Sequence, residues 1–251
     1  IASTVYGGNS SPVFESIAWS PDSKCFSYES PAANEFDQIF LCSVESGKPI
    51  ALTTDRYNSG SASWSTDGKY IYFLSDRSLR SVVFSPWGSR QPDPFFDRSM
   101  KIYQVALKKG QRSPFEPDDE LQADKDKEEK KPDPAKPAEA KKPDEPKPAE
   151  KKSEAVKVEI DFDGIADRLE EVPVPAGNYT NLASPAKRLC WIDRDRKTPA
   201  KNALQCPEIA NKGDKPETLM EGVGSWQLSS DGKKKLVRKQ NDFFVFDSNI
   251  R

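Results

Sequence analysis

The fold is decided by residues 61–75, SASWSTDGKYIYFLS. Asp67 and Gly68 predict a tight turn, because glycine adopts a positive φ without steric cost and aspartate is favoured in turns. The run that follows at residues 70–74, YIYFL, is rich in the aromatic and β-branched side chains that favour strands. The stretch is therefore predicted to be a β-hairpin with its turn at Asp67 and Gly68.

Three further copies of this phrase occur in the chain. They are residues 17–30, IAWSPDSKCFSYES, residues 225–238, SWQLSSDGKKKLVR, and a weaker copy with a shorter turn at residues 181–193, NLASPAKRLCWID. Further short strands follow each copy, which divides the chain into units of about 40 to 50 residues. Such units, with four antiparallel strands each, are typical of β-propeller blades. We therefore predict an all-β chain with about three and a half blades, from a larger propeller of about seven blades.

An insertion at residues 76–99 separates the second and third strands of the second unit. It contains Trp87, Arg90, Phe95 and Phe96 among several prolines, and long loops with aromatic residues are often ordered and functional. We therefore interpret these four residues as candidates for an interaction loop. The alternative is that the aromatic side chains fold back on their own blade.

A second insertion, at residues 116–154, has a different composition. It holds 14 acidic residues and 10 lysines together with many prolines and alanines, so we predict that it is disordered. The apolar alternation at residues 156–162 then predicts the fourth strand of the second unit. The predicted organisation is blades one and two in residues 1–115, the insertion, and the rest of blade two, blade three and an incomplete blade four in residues 155–251.

The composition excludes most kinds of catalytic site. None of the 251 residues is histidine, which excludes a Ser-His-Asp triad, a Cys-His dyad and any zinc site with a histidine ligand. We therefore expect no catalytic residue, no metal site and no cofactor in this chain. The net charge of -2 gives no indication of a nucleic-acid partner, and no apolar run of about 18 residues predicts a membrane span.

The four cysteines fall into two pairs on consecutive predicted strands. Cys25 and Cys42 lie in the first unit, and Cys190 and Cys206 lie in the third. Each pair can form a cross-strand disulfide in an oxidising compartment. The alternative is that these cysteines are buried free thiols, a common state of cysteine in protein cores.

Several stretches of the chain resemble known propellers. The phrases WSPDSK and WSTDGKYIYFLSD resemble the repeats of TolB-type and tricorn-type propellers. Residues 72–107, a blade with its insertion, residues 158–179, VEIDFDGIADRLEEVPVPAGNY, and residues 229–247, SSDGKKKLVRKQNDFFVFD, resemble bacterial tricorn protease homologues in the same order. The chain therefore resembles the C-terminal part of the second propeller of that family.

The resemblance implies a function that this chain performs without catalysis. Tricorn proteins are large serine peptidases in which the propellers are followed by PDZ and catalytic domains. The chain is then expected to gate or position peptide substrates for a catalytic domain outside it. Its expected partners are peptide substrates, the remaining blades, the PDZ and catalytic domains and, in a homo-oligomer, further copies of the parent. The alternative is a TolB-like propeller that acts as a scaffold for protein–protein interaction.

A gating propeller needs a channel, which the first strand of each blade lines. The candidate channel-lining residues on these strands are Ser16, Ala18, Ser61, Ser63, Thr180, Ser225 and Gln227. The resemblance favours a cytoplasmic location. The periplasm is the alternative, favoured by the Lys/Pro/Ala-rich insertion and the two cysteine pairs.

Overall fold

A computed structural model of the chain describes residues 14–78, 97–117, 156–185, 187–210, 216–229 and 231–248. Within these ranges the strands form four antiparallel sheets, each built from strands that are consecutive in the chain. The sheets are the blades of a partial propeller, which confirms the predicted fold class. The candidate interaction loop and almost all of the 116–154 insertion lie outside the described residues, so both remain predictions.

The described strands follow the chain from blade to blade. Blade 1 holds β1 (Glu15–Trp19), β2 (Cys25–Pro31), β3 (Asp37–Ser43) and β4 (Pro49–Ala51). Blade 2 holds β5 (Ser59–Trp64), β6 (Tyr70–Ser75), β7 (Lys101–Ala106) and β8 (Leu169–Glu171). Blade 3 holds β9 (Tyr179–Ala183), β10 (Cys190–Asp193), β11 (Ala203–Gln205) and β12 (Thr218–Glu221). Blade 4 holds β13 (Ser225–Leu228), β14 (Lys234–Lys239) and β15 (Asp242–Asp247). Two short 3-10 turns, Ile165–Arg168 and Pro199–Lys201, precede β8 and β11.

Ser65 organises the turn of the hairpin at residues 61–75. Its hydroxyl donates to Asp67 Oδ1 at 2.6 Å and accepts from the Tyr70 N–H at 2.9 Å. Gly68 has a φ of 68°, and a Cβ there would lie 2.7 Å from Val158 Cγ2, so the position requires glycine. The predicted hairpin is therefore confirmed. The same serine–aspartate contact recurs in the turns of blades 1 and 4, between Ser20 and Asp22 and between Ser229 and Asp231.

Strand β6 is buried on both faces because blade 2 lies between blades 1 and 3. Ile71 packs in one cluster with Leu41 of blade 1, and Tyr72 packs in another with Trp191 of blade 3. This burial explains why residues 70–74 form a continuous apolar run instead of an alternating one. Each such fully buried large side chain contributes about 1.5–3 kcal/mol to the stability of the fold. Because both clusters join neighbouring blades, the core lies between the blades.

The prediction that residues 156–162 form the fourth strand of blade 2 is wrong. The fourth strand is β8, which pairs with β7 through Gln104 and Glu170. Residues 156–162 instead lie against the first core cluster, where Val158 and Phe162 are partly buried. One face of the segment is apolar because it packs on the blades, and alternation of this kind reports burial rather than strand pairing.

The two cysteine pairs differ. Cys190 and Cys206 are joined by a disulfide, whereas Cys25 and Cys42 are free thiols. The register explains the difference in blade 1, because Cys42 lies opposite Phe26 and Cys25 lies opposite Ser43. Successive side chains along a strand point to opposite faces of the sheet, whereas residues directly opposite each other share a face. Cys25 and Cys42 therefore lie on opposite faces of blade 1 and are kept apart.

Candidate functional site

The first strands of the blades lie next to one another. β1 contacts β5, β5 contacts β9, and β9 contacts β13. In a propeller the first strand of each blade lies nearest the central axis, so these four are called the inner strands. All seven candidate channel residues lie on them, and each is partly or fully exposed. That they line a channel remains a prediction.

Three inner strands carry a β-bulge at the same place. In β1, β5 and β9 two residues lie opposite one residue of the neighbouring strand, and the first of the two is Ser16, Ser61 or Asn181. Their φ angles are 51°, 52° and 59°, in the left-handed region that residues other than glycine rarely adopt. A bulge leaves a backbone group unpaired in its own ladder, so that group is available to another blade. The sequence prediction chose Thr180 in the third copy and missed Asn181 beside it.

Glu29 of β2 links the bulge of β5 to blade 1. Its Oε1 accepts from the Ser61 N–H at 2.6 Å, and the Ser16 side chain is hydrogen-bonded to the same carboxylate. Gly60 leaves room for this group, because a Cβ there would lie 2.7 Å from Glu29 Oε2. Two predicted channel residues, Ser16 and Ser61, therefore meet at one mostly buried carboxylate. The sequence contained one signal for Glu29. A charged residue stands here at the position where the second copy of the hairpin has the apolar Leu74.

Burial raises the pKa of Glu29 above its ordinary value, and the charges of Asp37 and Glu15 add to the rise. The hydrogen bonds from Ser16 and Ser61 oppose it. A carboxyl group with a raised pKa binds more protons in the folded state than in the unfolded state. Its stabilising contribution is therefore complete below its unfolded pKa of about 4.3 and is lost as the pH rises through its folded pKa.

Glu29→Gln is therefore expected to gain stability relative to the wild type as the pH rises from about 4 to about 7. Glutamine keeps an acceptor for the Ser61 N–H but does not ionise. Urea unfolding followed by circular dichroism at several pH values measures the difference. A difference that stays constant over this range contradicts the prediction. Glu29→Ala is the control, expected to lose about 1–3 kcal/mol because the Ser61 N–H is left without its acceptor.

Two more candidate channel residues are engaged in contacts between blades. The Ala18 carbonyl accepts a hydrogen bond from the Trp64 indole at 3.1 Å, which joins blade 1 to blade 2. The Ser63 hydroxyl accepts from the Ser184 N–H at 2.9 Å, which joins blade 2 to blade 3. Both residues therefore hold neighbouring inner strands together.

The inner strands of blades 3 and 4 border a cleft of about 240 Å³. Trp226 Nε1 donates to the Asn181 carbonyl at 3.0 Å, and Asn181 Nδ2 donates to the Trp226 carbonyl at 2.7 Å. Gln227 lines this cleft and is exposed. The cleft is below the range of about 300–1,000 Å³ that is usual for ligand sites.

The last two candidates, Thr180 and Ser225, lie where the inner strands of blades 3 and 4 meet. Thr180 Oγ1 accepts from Arg194 Nε at 2.9 Å, and Arg194 Nη2 donates to the Gly224 carbonyl at 3.5 Å. Ser225 begins β13 and is exposed. In the described part of the chain, no group of three or more cysteine, aspartate and glutamate residues is placed to hold a metal ion. At this place the described residues offer polar surface and backbone contacts.

The four blades with their shared hairpins define a β-propeller domain. The sequence profile of the tricorn protease second beta propeller domain matches residues 3–249. The chain belongs to this family.

Individual relatives agree with this assignment. A tricorn protease homologue of Saccharolobus solfataricus is 25% identical over 245 residues, which cover 93% of this chain and 19% of that protein. A tricorn-like protease C-terminal subunit of Sulfurisphaera tokodaii is 33% identical over 248 residues, which cover 95% of this chain and 24% of that protein. The chain thus spans about a fifth to a quarter of the length of the curated relatives it matches.

Solved structures show the same fold. The crystal structure of the tricorn protease superimposes with a TM-score of 0.62 at 19% identity, covering 92% of this chain and 20% of the other. TolB from Acinetobacter baumannii superimposes with a TM-score of 0.51 at 17% identity, covering 94% of this chain and 41% of the other. Among the described residues, no helix has the length and apolar character needed to cross a membrane.

Proposed function

We propose that this propeller gates or positions peptide substrates for a catalytic domain outside this chain, in a tricorn-like serine peptidase. The observation that carries the proposal is the character of the inner strands. Their seven candidate residues are small or polar, and each is partly or fully exposed. These seven side chains themselves offer little apolar area to bury, which suits the passage of a peptide more than its tight binding.

The proposal assigns the chemistry of the reaction to other parts of the parent protein. The sequence contains no histidine, so the histidine of a Ser-His-Asp triad must come from another part of the parent. The proposed partners are peptide substrates, the remaining blades, the PDZ and catalytic domains and other copies of the parent in a homo-oligomer. The likeness to TolB concerns the fold alone and gives no support to a scaffold function.

We place the parent in the cytoplasm, as the resemblance to tricorn proteins favours. A Cys190–Cys206 disulfide that persists in the cell would instead favour the periplasm, because cytosolic thiols are kept reduced. Titration of free thiols in protein isolated under trapping conditions distinguishes the two locations.

The test fills the cleft between the inner strands of blades 3 and 4 in the intact protein. Gln227→Trp places a large side chain where Gln227 lines the cleft, and Ser225→Trp places one on the same face of β13. Both variants are expected to slow the cleavage of long peptides several-fold while dipeptide-sized fluorogenic substrates are cleaved at the wild-type rate. Ser63 is avoided because its hydroxyl joins two blades.

Ala51→Trp is the matched control for these variants. Ala51 is exposed on β4, the outermost strand of blade 1, so its replacement is expected to leave both substrate classes unaffected. Equal slowing of long and short peptides by Gln227→Trp contradicts the gating role. Equal slowing by Ala51→Trp would show that the effect does not depend on the inner strands.

A further inference from the structure

Lys235 of β14 is buried where the repeat places an apolar side chain. It lies opposite Leu228 in blade 4, as Ile71 lies opposite Trp64 in blade 2. Lys235 and Ile71 both have an exposed fraction of 0%. A buried ammonium group needs a compensating charge, yet in the described part of the chain no carboxylate forms a salt bridge with Lys235. Among the described residues, this position therefore holds a cation with no carboxylate as its counterion.

The group that faces Lys235 is the disulfide of blade 3. Lys235 Nζ donates to Cys206 Sγ at 3.8 Å, and Cys206 is joined to Cys190. Both cysteines belong to the core cluster between blades 3 and 4. A disulfide sulfur is a neutral and weak acceptor, so it leaves the charge of Lys235 uncompensated. A thiolate at Cys206 would supply the missing negative charge.

A second cation lies next to the same cysteine. Arg188 is almost fully buried, and its Nη1 donates to the Cys206 carbonyl at 2.7 Å. Its Nη2 donates to Glu208 Oε1 at 3.0 Å. The carboxylate of Glu208 is thus engaged by Arg188, while Lys235 brings a second positive charge to the sulfur. Cationic surroundings of this kind stabilise a thiolate over a thiol.

Cys206 borders a cleft, and its exposed fraction in the oxidised chain is 3%. It lines a cleft of about 290 Å³ together with Glu217, Thr218 and Leu219. A cleft of this volume admits small molecules of the size of common thiol reagents. The described residues therefore place a sulfur beside a buried cation and at the border of a cleft.

We propose that the Cys190–Cys206 disulfide is a reducible site, and that its reduction leaves Cys206 as a thiolate held by Lys235 and open to low-molecular-weight disulfides. This inference is independent of the gating role. It assigns a thiol-modification site to blade 3 at its contact with blade 4.

The chemistry proceeds in two balanced exchanges. A dithiol reductant gives up two electrons and two protons and becomes a disulfide, while the bond between Cys190 and Cys206 breaks. One proton stays on Cys190 as a thiol, and the other passes to solvent because Lys235 is already protonated at neutral pH. The Cys206 thiolate then attacks one sulfur of a small disulfide, which forms a mixed disulfide and releases the other half as a thiolate.

Site-resolved alkylation of the reduced intact protein by iodoacetamide tests the proposal. Cys190 and Cys206 fall in separate tryptic peptides, residues 189–194 and 202–212, so mass spectrometry follows each thiol separately. In the wild type, the alkylation rate of Cys206 is expected to reach its midpoint below about pH 8.5, the ordinary pKa of a cysteine thiol. Lys235→Met is expected to raise the Cys206 midpoint by about one pH unit or more, whereas Lys235→Arg retains the cation and the low midpoint.

Lys234→Met is the matched control. Lys234 is the exposed neighbour of Lys235 on β14 and pairs with Asp247, so its replacement is expected to leave the Cys206 midpoint unchanged. A wild-type Cys206 midpoint that is no lower than about pH 8.5 overturns the proposal, as does a midpoint that Lys235→Met leaves in place. Alkylation of Cys206 in oxidised protein before any reductant is added overturns the disulfide itself. The wild-type midpoint is measured without any variant, so this outcome decides the proposal even if a variant does not fold.

Discussion

Trp64→Ala is expected to destabilise the chain by about 3–5 kcal/mol, which is usual for removal of a buried tryptophan. The side chain has an exposed fraction of 6% and belongs to the core cluster between blades 1 and 2. Its indole N–H also donates to the Ala18 carbonyl and to the Ser27 hydroxyl at 3.2 Å. The substitution therefore has two effects. It opens a cavity, and it removes a hydrogen bond that joins blade 1 to blade 2. Urea unfolding followed by far-ultraviolet circular dichroism measures the loss.

Trp19 provides a control within the same repeat. It lies opposite Phe26 as Trp64 lies opposite Ile71, so the two tryptophans hold equivalent places. In this chain Trp19 has an exposed fraction of 56%, and Trp19→Ala is expected to cost less than about 1 kcal/mol. Similar losses for both variants would show that the contact between blades is not what makes Trp64 important. Trp64→Phe, which keeps an aromatic ring but lacks the N–H, is expected to fall between the two at about 1–2 kcal/mol.

The features that the sequence predicted well are those determined by neighbouring residues. The hairpin at residues 61–75 depends on Asp67, Gly68 and the serine that precedes them, all within one turn. The recurrence of that turn was sufficient to predict blades, because each blade repeats the same local geometry. The apolar run at residues 70–74 was also assigned correctly to a strand, although its burial on both faces follows from the position of blade 2 between two others.

The features that the sequence did not predict arise between blades. Alternation at residues 156–162 indicated one buried face, but it did not distinguish packing on a sheet from pairing within one. The role of Glu29 depends on Gly60 and Ser61 of the next blade, which no local pattern connects to it. Lys235 is different, since an alignment of the repeats would have shown a lysine at the place of Ile71.

Lys235→Met is expected to stabilise the oxidised chain at neutral pH, by an amount that decreases as the pH rises. Burial, with a smaller contribution from the charge of Arg188, lowers the pKa of Lys235 to about 8. The ordinary value in an unfolded chain is about 10.4. Between these two values the unfolded wild type binds more protons than the folded form, so its stability rises with pH by up to about 1.4 kcal/mol per unit.

The stability gap between Lys235→Met and the wild type should therefore shrink by about 3 kcal/mol from about pH 7 to about pH 10.5. Among the described residues, the charged groups around this site are Arg188, which pairs with Glu208, and Glu217, which lines the cleft beside Cys206. These groups are present in both proteins, so their titration cancels in the difference. Urea unfolding at each pH measures the gap, and Lys234→Met, which replaces an exposed lysine, should show almost none. A gap that does not change with pH would mean that Lys235 titrates as an ordinary lysine, which would require a counterion for its ammonium group.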